Sequence, residues 1–234
     1  MNITPPVLSP RLAEAARLVG KCNCFADIGT DHAYLPIYLL MTGACRTAVA
    51  SDIGEGPLKR ASAAAQKYNQ TVSLRLGSGL STLERDEADA VVIAGMGGLL
   101  IADILKSGAD KLGAAKKIVL QPMTAIPELR KFLADYGWRI ESESIVKEGE
   151  KLYILMSVKM PPPDSSFCEP YSEAELFIGK RLTETRPKYF GEYISKLRHK
   201  LNVIIKGLET SRSDGSAEKL ERCQRLLEEV NKLC

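Results

Sequence analysis

The chain has 234 residues, an apolar fraction of 45% and a net charge of +3, which suits one main domain with a smaller appendage. No run approaches the roughly 18 apolar residues of a membrane span, and the N-terminus lacks a basic segment followed by an apolar one. The six scattered cysteines have neither zinc-site spacing nor the density of a disulfide scaffold. We therefore expect a cytoplasmic protein with reduced, structural thiols and no bound metal.

The first predicted elements are a helix and a buried strand. Ser9 is a suitable N-cap, Pro10 is a suitable first helical residue, and apolar periodicity continues to Val19. The apolar run Cys22–Ile28 follows and ends in Gly29. A strand, a glycine turn and a second helical pattern predict an α/β unit, in which ligands lie beyond the carboxyl ends of the strands.

The loop after this strand indicates the kind of ligand. Pro36 is tolerated only in a first helical turn, so the helix should begin near Tyr34 and leave Asp31 and His32 in a loop that faces the crevice. A dinucleotide fingerprint needs three glycines, but counting from Gly29 puts Asp31 and Tyr34 at the other two positions. A carboxylate repels phosphate and suits a cationic ligand such as S-adenosylmethionine. The alternative is that Asp31 is an ordinary N-cap.

The next two strands predict contacts to the ribose and the adenine of that cofactor. The strand Thr47–Ile53 ends in Asp52 and Ile53, about twenty residues after the first turn, where a carboxylate can accept ribose hydroxyls. The strand Val72–Leu76 ends in Gly77-Ser78-Gly79. At these glycines the backbone can approach a planar ring, and Ser78 can bond an adenine edge, although ordinary turns use the same residue types.

The fourth predicted strand, Asp89–Ala94, is almost wholly apolar, as expected of a central parallel strand covered on both faces. It ends in Gly95-Met96-Gly97-Gly98. We expect Ala94, Gly95 and Met96 to border the cofactor, and the glycines to leave open space for the methyl acceptor beside the first turn.

The remaining strands predict the fold class. A strand over Lys116–Gln121 and a helix over Ile126–Tyr136 precede a hairpin of Trp138–Val146 and Lys151–Lys159. Strands alternating with helices and closing in a hairpin describe an α/β, Rossmann-like class I methyltransferase sheet, which is parallel with one antiparallel strand.

A proline-rich break separates this sheet from a helical segment. Pro161-Pro162-Pro163 ends all periodicity and predicts a boundary that few contacts cross. Beyond it Ser172 and Glu175 form a capping box. Apolar residues then recur at spacings of four and three, as in a coiled coil, at Phe190, Ile194, Leu197, Leu201, Ile204 and Leu208 and again at Leu220, Cys223, Leu227, Val230 and Cys234. We expect a cofactor-binding domain over 1–160, a linker over 161–171 and a helical antiparallel coiled-coil domain over 172–234.

The helical part carries the whole net charge. From Tyr171 onward the sequence has 13 of the 32 Lys and Arg residues and 10 of the 29 Asp and Glu residues, which leaves 19 of each before it. Within 186–206 only Glu192 opposes the basic residues, which are Arg186, Lys188, Lys196, Arg198, Lys200 and Lys206. The first five are candidate contacts to RNA phosphates. The alternative is a solvated helix face on which Glu192 and Lys196 pair.

Four of these motifs together resemble the bacterial tRNA (adenine-22-N1)-methyltransferase family, and the resemblance covers the whole chain. They are DIGTDHAYLP at 27–36, GSGL at 77–80, AGMGG at 94–98 and LQP at 120–122. The resemblance implies S-adenosylmethionine as cofactor and tRNA as substrate, and we expect a monomer. It implies cofactor contacts at Asp27, Gly29, Asp52 and 77–79, and entry of the base beside Asp31, His32, Tyr34 and 95–98. The chain departs from the family pattern at Ser78, where Asp is common, and at Met123, where Asn often follows Gln-Pro.

The implied reaction moves a methyl group from a sulfonium to adenine N1, whose lone pair needs no base at neutral pH, so catalysis is mainly positioning. N1 lies on the Watson–Crick edge, so the adenine must leave its stack and be received by an aromatic ring. Tyr34 is the candidate, ahead of Tyr38. Asp31 could stabilise the positive charge that the ring gains, and His32 could orient the loop or contact a phosphate.

Two other classes of function stay open at this point. One is a nicotinamide-dependent oxidoreductase, which the missing glycines disfavour. The other is a non-catalytic RNA-binding protein that keeps a relic cofactor pocket.

Overall fold

The computed structural model describes residues 3–113, 115–161, 170–210 and 215–233. Its strands are β1 (Cys24–Ile28), β2 (Thr47–Asp52), β3 (Ser73–Leu76), β4 (Ala90–Gly97), β5 (Lys117–Thr124), β6 (Arg139–Glu148) and β7 (Lys151–Lys159). Its α-helices are α1 (Pro10–Val19), α2 (Tyr34–Met41), α3 (Glu55–Lys67), α4 (Gly98–Gly108), α5 (Ile126–Asp135), α6 (Glu173–Ile178), α7 (Lys180–Thr185), α8 (Phe190–Glu209) and α9 (Ser216–Asn231).

The seven strands form one sheet in the order β3-β2-β1-β4-β5-β7-β6. Strands β1 to β5 pair in parallel, and β7 runs antiparallel to both of its neighbours, β5 and β6. This confirms the predicted class I methyltransferase sheet. Val91, Val92 and Ile93 of β4 are fully buried, because the central strand is covered on both faces as its apolar sequence predicts.

The strand register brings the predicted cofactor motifs to one edge of the sheet. Ile28, the last residue of β1, lies opposite Ser51 of β2 and opposite Ile93 of β4. Gly29, Asp52 and Ala94 therefore follow at the same carboxyl edge.

Helix α1 begins where the sequence predicts, but Ser9 does not cap it in the predicted way. Ser9 occupies the N-cap position with an extended backbone, and its side chain makes no capping hydrogen bond. Its Oγ is buried and has no hydrogen-bond partner among the described residues. The Arg11 N–H instead donates to Glu148 Oε1 at 2.7 Å, so a carboxylate from β6 satisfies one of the free N–H groups of the first turn.

The helical segment is joined to the sheet by buried contacts, contrary to the expectation that few contacts cross the proline break. Arg130 of α5 and Glu143 of β6 form a buried ion pair, with Arg130 Nη2 2.8 Å from Glu143 Oε1. Arg130 Nη1 also donates to the carbonyls of Leu176 and Phe177 at 2.9 and 3.2 Å. Because Ile178, Leu182 and Phe190 belong to the same core as the sheet residues, the two parts fold against each other. Residues 162–169 of the predicted linker lie outside the described residues.

The apolar face of α8 follows the predicted spacing for three turns and then shifts by one residue. Phe190, Ile194 and Leu201 are buried, but the next buried position is Ile205, while Ile204 is exposed. A step of four residues from Leu201 keeps the face toward the core, because an α-helix turns every 3.6 residues or so. Helix α8 packs against α9, where Leu226 and Val230 are buried.

Candidate active site

The turn after β1 is tight, and its glycine has a backbone conformation that residues with side chains rarely adopt. Gly29 has φ +81°, and a Cβ there would lie 2.0 Å from the Met96 methyl carbon. The N–H groups of Gly29 and Thr30 both donate to the Ser51 carbonyl, at 2.8 and 2.9 Å. The Ala33 N–H donates to Thr30 Oγ1 at 3.1 Å, and α2 begins at the next residue. The turn thus fixes where the loop of Asp31 and His32 begins and ends.

Asp27 is a buried carboxylate directly below this turn. Burial raises the pKa of Asp27 to about 6, a hydrogen bond from the Thr30 hydroxyl opposes the rise, and the charge of Asp52 adds to it. A buried carboxylate with a raised pKa in a crevice is typical of a functional site. Asp27 gains a counter-charge if a cation binds beside it.

Asp31 and His32 lie in the loop, as predicted. Asp31 also contacts Arg60, a residue that the sequence analysis did not include in the site. Arg60 of α3 donates to Asp31 Oδ1 from Nε at 2.9 Å, and its Nη2 contacts the same oxygen. His32 Nε2 lies 3.3 Å from Asp31 Oδ2. Arg60 gives no signal in the sequence, because it is one basic residue on an exposed helix face and only the α2–α3 arrangement brings it to Asp31.

Tyr34 is the first residue of α2 and is 38% exposed. Its ring is stacked on the His32 ring, with the centroids 5.2 Å apart and the planes 6° apart. The His32 imidazole therefore lies over one face of the Tyr34 ring.

A cavity of about 540 Å³ opens at this edge of the sheet. Seven of the predicted site residues line it, namely Asp27, Gly29, Asp31, His32, Tyr34, Ala94 and Gly95. The structure thus brings together the predicted catalytic residues and the first-turn cofactor residues. The cavity is also lined by Ser9, Arg11 and Met123, which were not predicted to belong to the site.

Arg11 and Gln121 form a hydrogen-bonded network on the far wall of this cavity. Gln121 Oε1 accepts from Arg11 Nη1 and from the Gly95 N–H, each at 3.1 Å, and Gln121 Nε2 donates to the Pro122 carbonyl at 3.0 Å. The Arg11 guanidinium also lies 5.7 Å from the Tyr153 ring centroid, and its Nε is 3.7 Å from Glu148 Oε2. Arg11 was missed because its sequence context indicates only a helix start.

The other predicted cofactor residues lie beside the cavity rather than in its lining. Asp52 is half-buried and accepts the Gly54 N–H at 2.8 Å, and its own carbonyl accepts the Gly77 N–H at 3.0 Å. Ile53 is 76% exposed and Leu76 is 58% exposed. Two exposed apolar side chains at adjacent strand ends make a surface for a flat apolar ring. Ser78 is exposed, and its carbonyl accepts from the Ser81 N–H and hydroxyl, while Gly79 has φ +53° in the same turn.

The five candidate RNA contacts lie on the exposed side of the helical part. The Arg186 guanidinium and the Lys188 ammonium lie over the Phe190 and Tyr189 rings, at 5.7 and 5.1 Å. Lys196 contacts the Glu150 carbonyl of the β6–β7 turn, and its Nζ is 3.3 Å from Glu192 Oε1. The Glu192–Lys196 pair of the alternative interpretation is thus present. Arg198 and Lys200 are exposed two and four residues further along α8.

The described residues contain neither a membrane-crossing helix nor a cluster of His, Cys, Asp and Glu arranged to bind a metal. No helix over these ranges combines the length and the apolar character that a span requires. No group of three or more such ligands lies within metal-binding reach.

Comparison with known proteins gives one consistent family. The family model for tRNA (adenine(22)-N(1))-methyltransferase, TrmK, matches residues 25–233. The tRNA (adenine(22)-N(1))-methyltransferase of Bacillus subtilis is 31% identical over 229 residues, which cover 95% of this chain and 96% of that protein.

Solved structures agree with this match over nearly the whole chain. The crystal structure of the B. subtilis m1A22 tRNA methyltransferase superposes with a TM-score of 0.84 at 29% identity, covering 97% of this chain and 98% of that one. A putative tRNA (m1A22) methyltransferase of Streptococcus pneumoniae, solved in complex with S-adenosyl-L-methionine, superposes with a TM-score of 0.82 at 28% identity, covering 97% and 99%. On the family match and the identity to its B. subtilis relative, this chain belongs to the tRNA (adenine(22)-N(1))-methyltransferase family.

Proposed function

We propose that this chain transfers the methyl group of S-adenosylmethionine to N1 of adenine 22 in tRNA, the reaction for which its family is named. The observation that carries the proposal is the single cavity that joins the Asp27–Gly29 turn to Tyr34. A cofactor site and an aromatic receiver for a base thereby share one space. The family match disfavours a nicotinamide-dependent oxidoreductase, and the missing glycines agree with that.

The edge of the sheet fits the nucleoside half of S-adenosylmethionine. Asp52 would accept the ribose hydroxyls, since the Gly54 N–H occupies one oxygen at 2.8 Å and holds the carboxylate in place. Ile53 and Leu76 would cover the adenine ring, and the 77–79 turn, including Ser78, would approach it through its backbone. Gly29, with φ +81° and no side chain, would let the backbone approach the cofactor closely at this turn.

The methionine half fits the wall that holds Arg11. The cofactor has one carboxylate and two cationic centres, the ammonium and the sulfonium. Asp27, whose buried charge has no basic partner among the described residues, would face the ammonium. Arg11 offers further guanidinium N–H groups besides the one bonded to Gln121 and would bind the carboxylate. Ala94, Gly95 and Met96 would border the cofactor, as the sequence predicts.

The acceptor base would enter against Tyr34. When bound, S-adenosylmethionine supplies an electrophilic methyl group, and the residues of the chain position the adenine that attacks it. The adenine would stack on the Tyr34 face opposite His32. As N1 forms its bond to the methyl carbon, the base becomes cationic, and Asp31 would stabilise that charge. Arg60 and His32 hold the Asp31 carboxylate in position for this role.

We further propose that the tRNA contacts Arg186 and Lys188, which precede α8, and Lys196, Arg198 and Lys200 on α8. The β6–β7 hairpin supports this, because its end contacts both α8 and Arg11, which lines the cavity: Glu148 accepts from the Arg11 backbone N–H, and Lys147 donates to Glu192 at 2.9 Å. In this proposal 1–160 binds the cofactor, 161–171 is the linker and 172–234 is an antiparallel coiled coil that binds tRNA, in a monomer acting in the cytoplasm.

The test is incubation of the protein with labelled S-adenosylmethionine and an unmodified tRNA transcript, followed by nucleoside analysis. We expect 1-methyladenosine in the tRNA with adenine 22, and none in a transcript that carries guanine there. Cofactor binding without transfer to either transcript would instead support the relic-pocket alternative.

A further inference from the structure

At the amino ends of β1 and β2, on the edge opposite the cavity, two cysteine side chains meet. Cys24 lies opposite Thr47 in the parallel register of these strands. Cys22 and Cys45 each lie two residues before a member of that pair, just outside the strands. The Cys22 N–H donates to the Ala44 carbonyl at 2.9 Å, and the Arg46 N–H donates to the Asn23 carbonyl at 3.0 Å, so the chains stay paired up to this point.

Cys45 belongs to an apolar cluster, and Cys22 packs against the same cluster. Neighbouring strands lie roughly 4.8 Å apart, and a disulfide spans Cα atoms that are about 4.4–6.8 Å apart. The Cys22 and Cys45 thiols lie close enough for each to shift the pKa of the other. The pairing of the two backbones and the closeness of the thiols therefore suit a bond between the two sulfurs.

We propose that Cys22 and Cys45 form a reversible disulfide when the protein meets a peroxide. The Cys22 thiolate attacks hydrogen peroxide, becomes a sulfenic acid and releases hydroxide. The Cys45 thiol then attacks that sulfur, the S–S bond forms, and the sulfenic oxygen leaves as water with the thiol proton. Two electrons pass from the thiols to the peroxide. This modification is independent of the methyl-transfer proposal.

The order of the two steps follows from the surroundings of the thiols. Cys22 is half-buried, whereas Cys45 is only 5% exposed, so the oxidant meets Cys22 first. The interaction between the thiols lowers the pKa of Cys22 and raises that of Cys45, which favours Cys22 over Cys45 as the attacking thiolate. The Asp89 carboxylate, whose charge acts to raise the pKa of both thiols, is engaged by the Asn23 and Cys24 N–H groups at 2.8–3.1 Å.

The test is mild oxidation of the full chain with hydrogen peroxide, followed by alkylation and peptide mass spectrometry. Trypsin alone leaves all three cysteines in one peptide, 22–46, because no Lys or Arg lies between Lys21 and Arg46. A second protease that cleaves before Asp27 and Asp31 separates 22–26 from 31–46. We expect these two peptides to be linked in most chains, with the link at Cys22, and to separate after dithiothreitol.

Fragmentation of the linked 22–26 peptide distinguishes Cys22 from Cys24 without any variant. As a matched pair, Cys24→Ser should keep the link and Cys22→Ser should lose it. A link at Cys24, or oxidation of Cys22 to sulfinic acid with Cys45 still alkylated, would overturn the proposal.

Discussion

Asp31 and Arg60 form an ion pair at the rim of the cavity, with Arg60 Nε 2.9 Å from Asp31 Oδ1. The pair joins the loop after β1 to helix α3, which are far apart in sequence. It fixes the direction of a carboxylate whose side chain is 62% exposed. An exposed ion pair adds little to stability, so its main effect is on where the Asp31 oxygens point.

The Asp31–Arg60 ion pair predicts that the losses of turnover caused by substitutions at these two residues will not add. Asp31→Ala should lower turnover by about 10²–10³-fold, because a charge aimed at the transition state is lost, while S-adenosylmethionine affinity changes little. Arg60→Ala should lower turnover about tenfold. Added to Asp31→Ala, it should cost nothing more, since its effect passes through Asp31. Single-turnover rates and calorimetry measure both quantities, and losses that simply add would show that Arg60 acts on its own.

Arg11→Ala should weaken S-adenosylmethionine binding by about 1.5–3 kcal/mol, the value of a hydrogen bond to a charged group. It should not weaken binding of decarboxylated S-adenosylmethionine, which lacks the group that Arg11 is proposed to hold. Asp52→Ala is the matched control, because the ribose is common to both ligands and both affinities should fall. Equal losses of both ligands in Arg11→Ala would mean that Arg11 acts only by holding Gln121 and Gly95.

Tyr34→Phe should be mild, and Tyr34→Ala should reduce tRNA methylation severely. A base stacked on an aromatic ring is worth about 1–3 kcal/mol, and that energy belongs to the ring rather than to the hydroxyl. Rates measured at limiting tRNA, with cofactor affinity as a control, distinguish the two. If Tyr34→Phe were the more damaging change, the hydroxyl would be the functional group and stacking would be excluded.

Cofactor affinity should fall as the pH is lowered through about 6, the pKa of Asp27. Below that pH the carboxyl is neutral and cannot pair with the ammonium of S-adenosylmethionine. Asp27→Asn should bind more weakly and lose this pH dependence. Calorimetry in buffers on both sides of pH 6 decides this, and a pH-independent affinity in the unmodified protein would remove Asp27 from the ammonium site.

Asp27 also makes the stability of the cofactor-free protein depend on pH. The direction is opposite to that for cofactor affinity, since stability should rise as the pH is lowered. The pKa of Asp27 is raised on folding from an ordinary value of 3.8 to about 6, so in that interval the folded state holds more protons than the unfolded state. The contribution to stability is therefore greatest at low pH and is lost as the pH rises through that range. Asp27→Asn should remove this term from the denaturant-unfolding free energy.

Replacing Lys196, Arg198 and Lys200 by Ala should weaken tRNA binding and reduce its salt dependence. Removing one side chain that pairs with a phosphate should flatten the slope of the logarithm of the tRNA binding constant against the logarithm of the salt concentration by about 0.7–0.9. Cofactor affinity should stay unchanged. A matched control removes the same charge from exposed positions on α9 and just beyond it, by changing Lys219, Arg225 and Lys232 to Ala. Equal effects of the two triple variants would show a general charge effect, and no effect of either would place the tRNA elsewhere.

Local sequence patterns were sufficient to predict the strands of the sheet and the residues of the turn after β1. The apolar β4 sequence, the alternation of strands with helices and the hairpin after α5 each depend on burial that repeats with a strand or helix period. Pro36 fixes the start of α2 near Tyr34, because a proline interior to the helix would lose a hydrogen bond. The loop of Asp31 and His32 was predicted for the same reason.

Only the tertiary structure decided which distant residues complete the site and how the helical part is held. Arg60 reaches Asp31, and Arg11 reaches Gln121, through strand order and helix packing, which leave no periodic signal in the sequence. The break at Pro161 correctly ends the strand pattern but does not show that Arg130 and Glu143 pair in a shared core beneath α6. Local propensity sets where an element begins and ends, whereas contacts between elements depend on the packing of the whole chain.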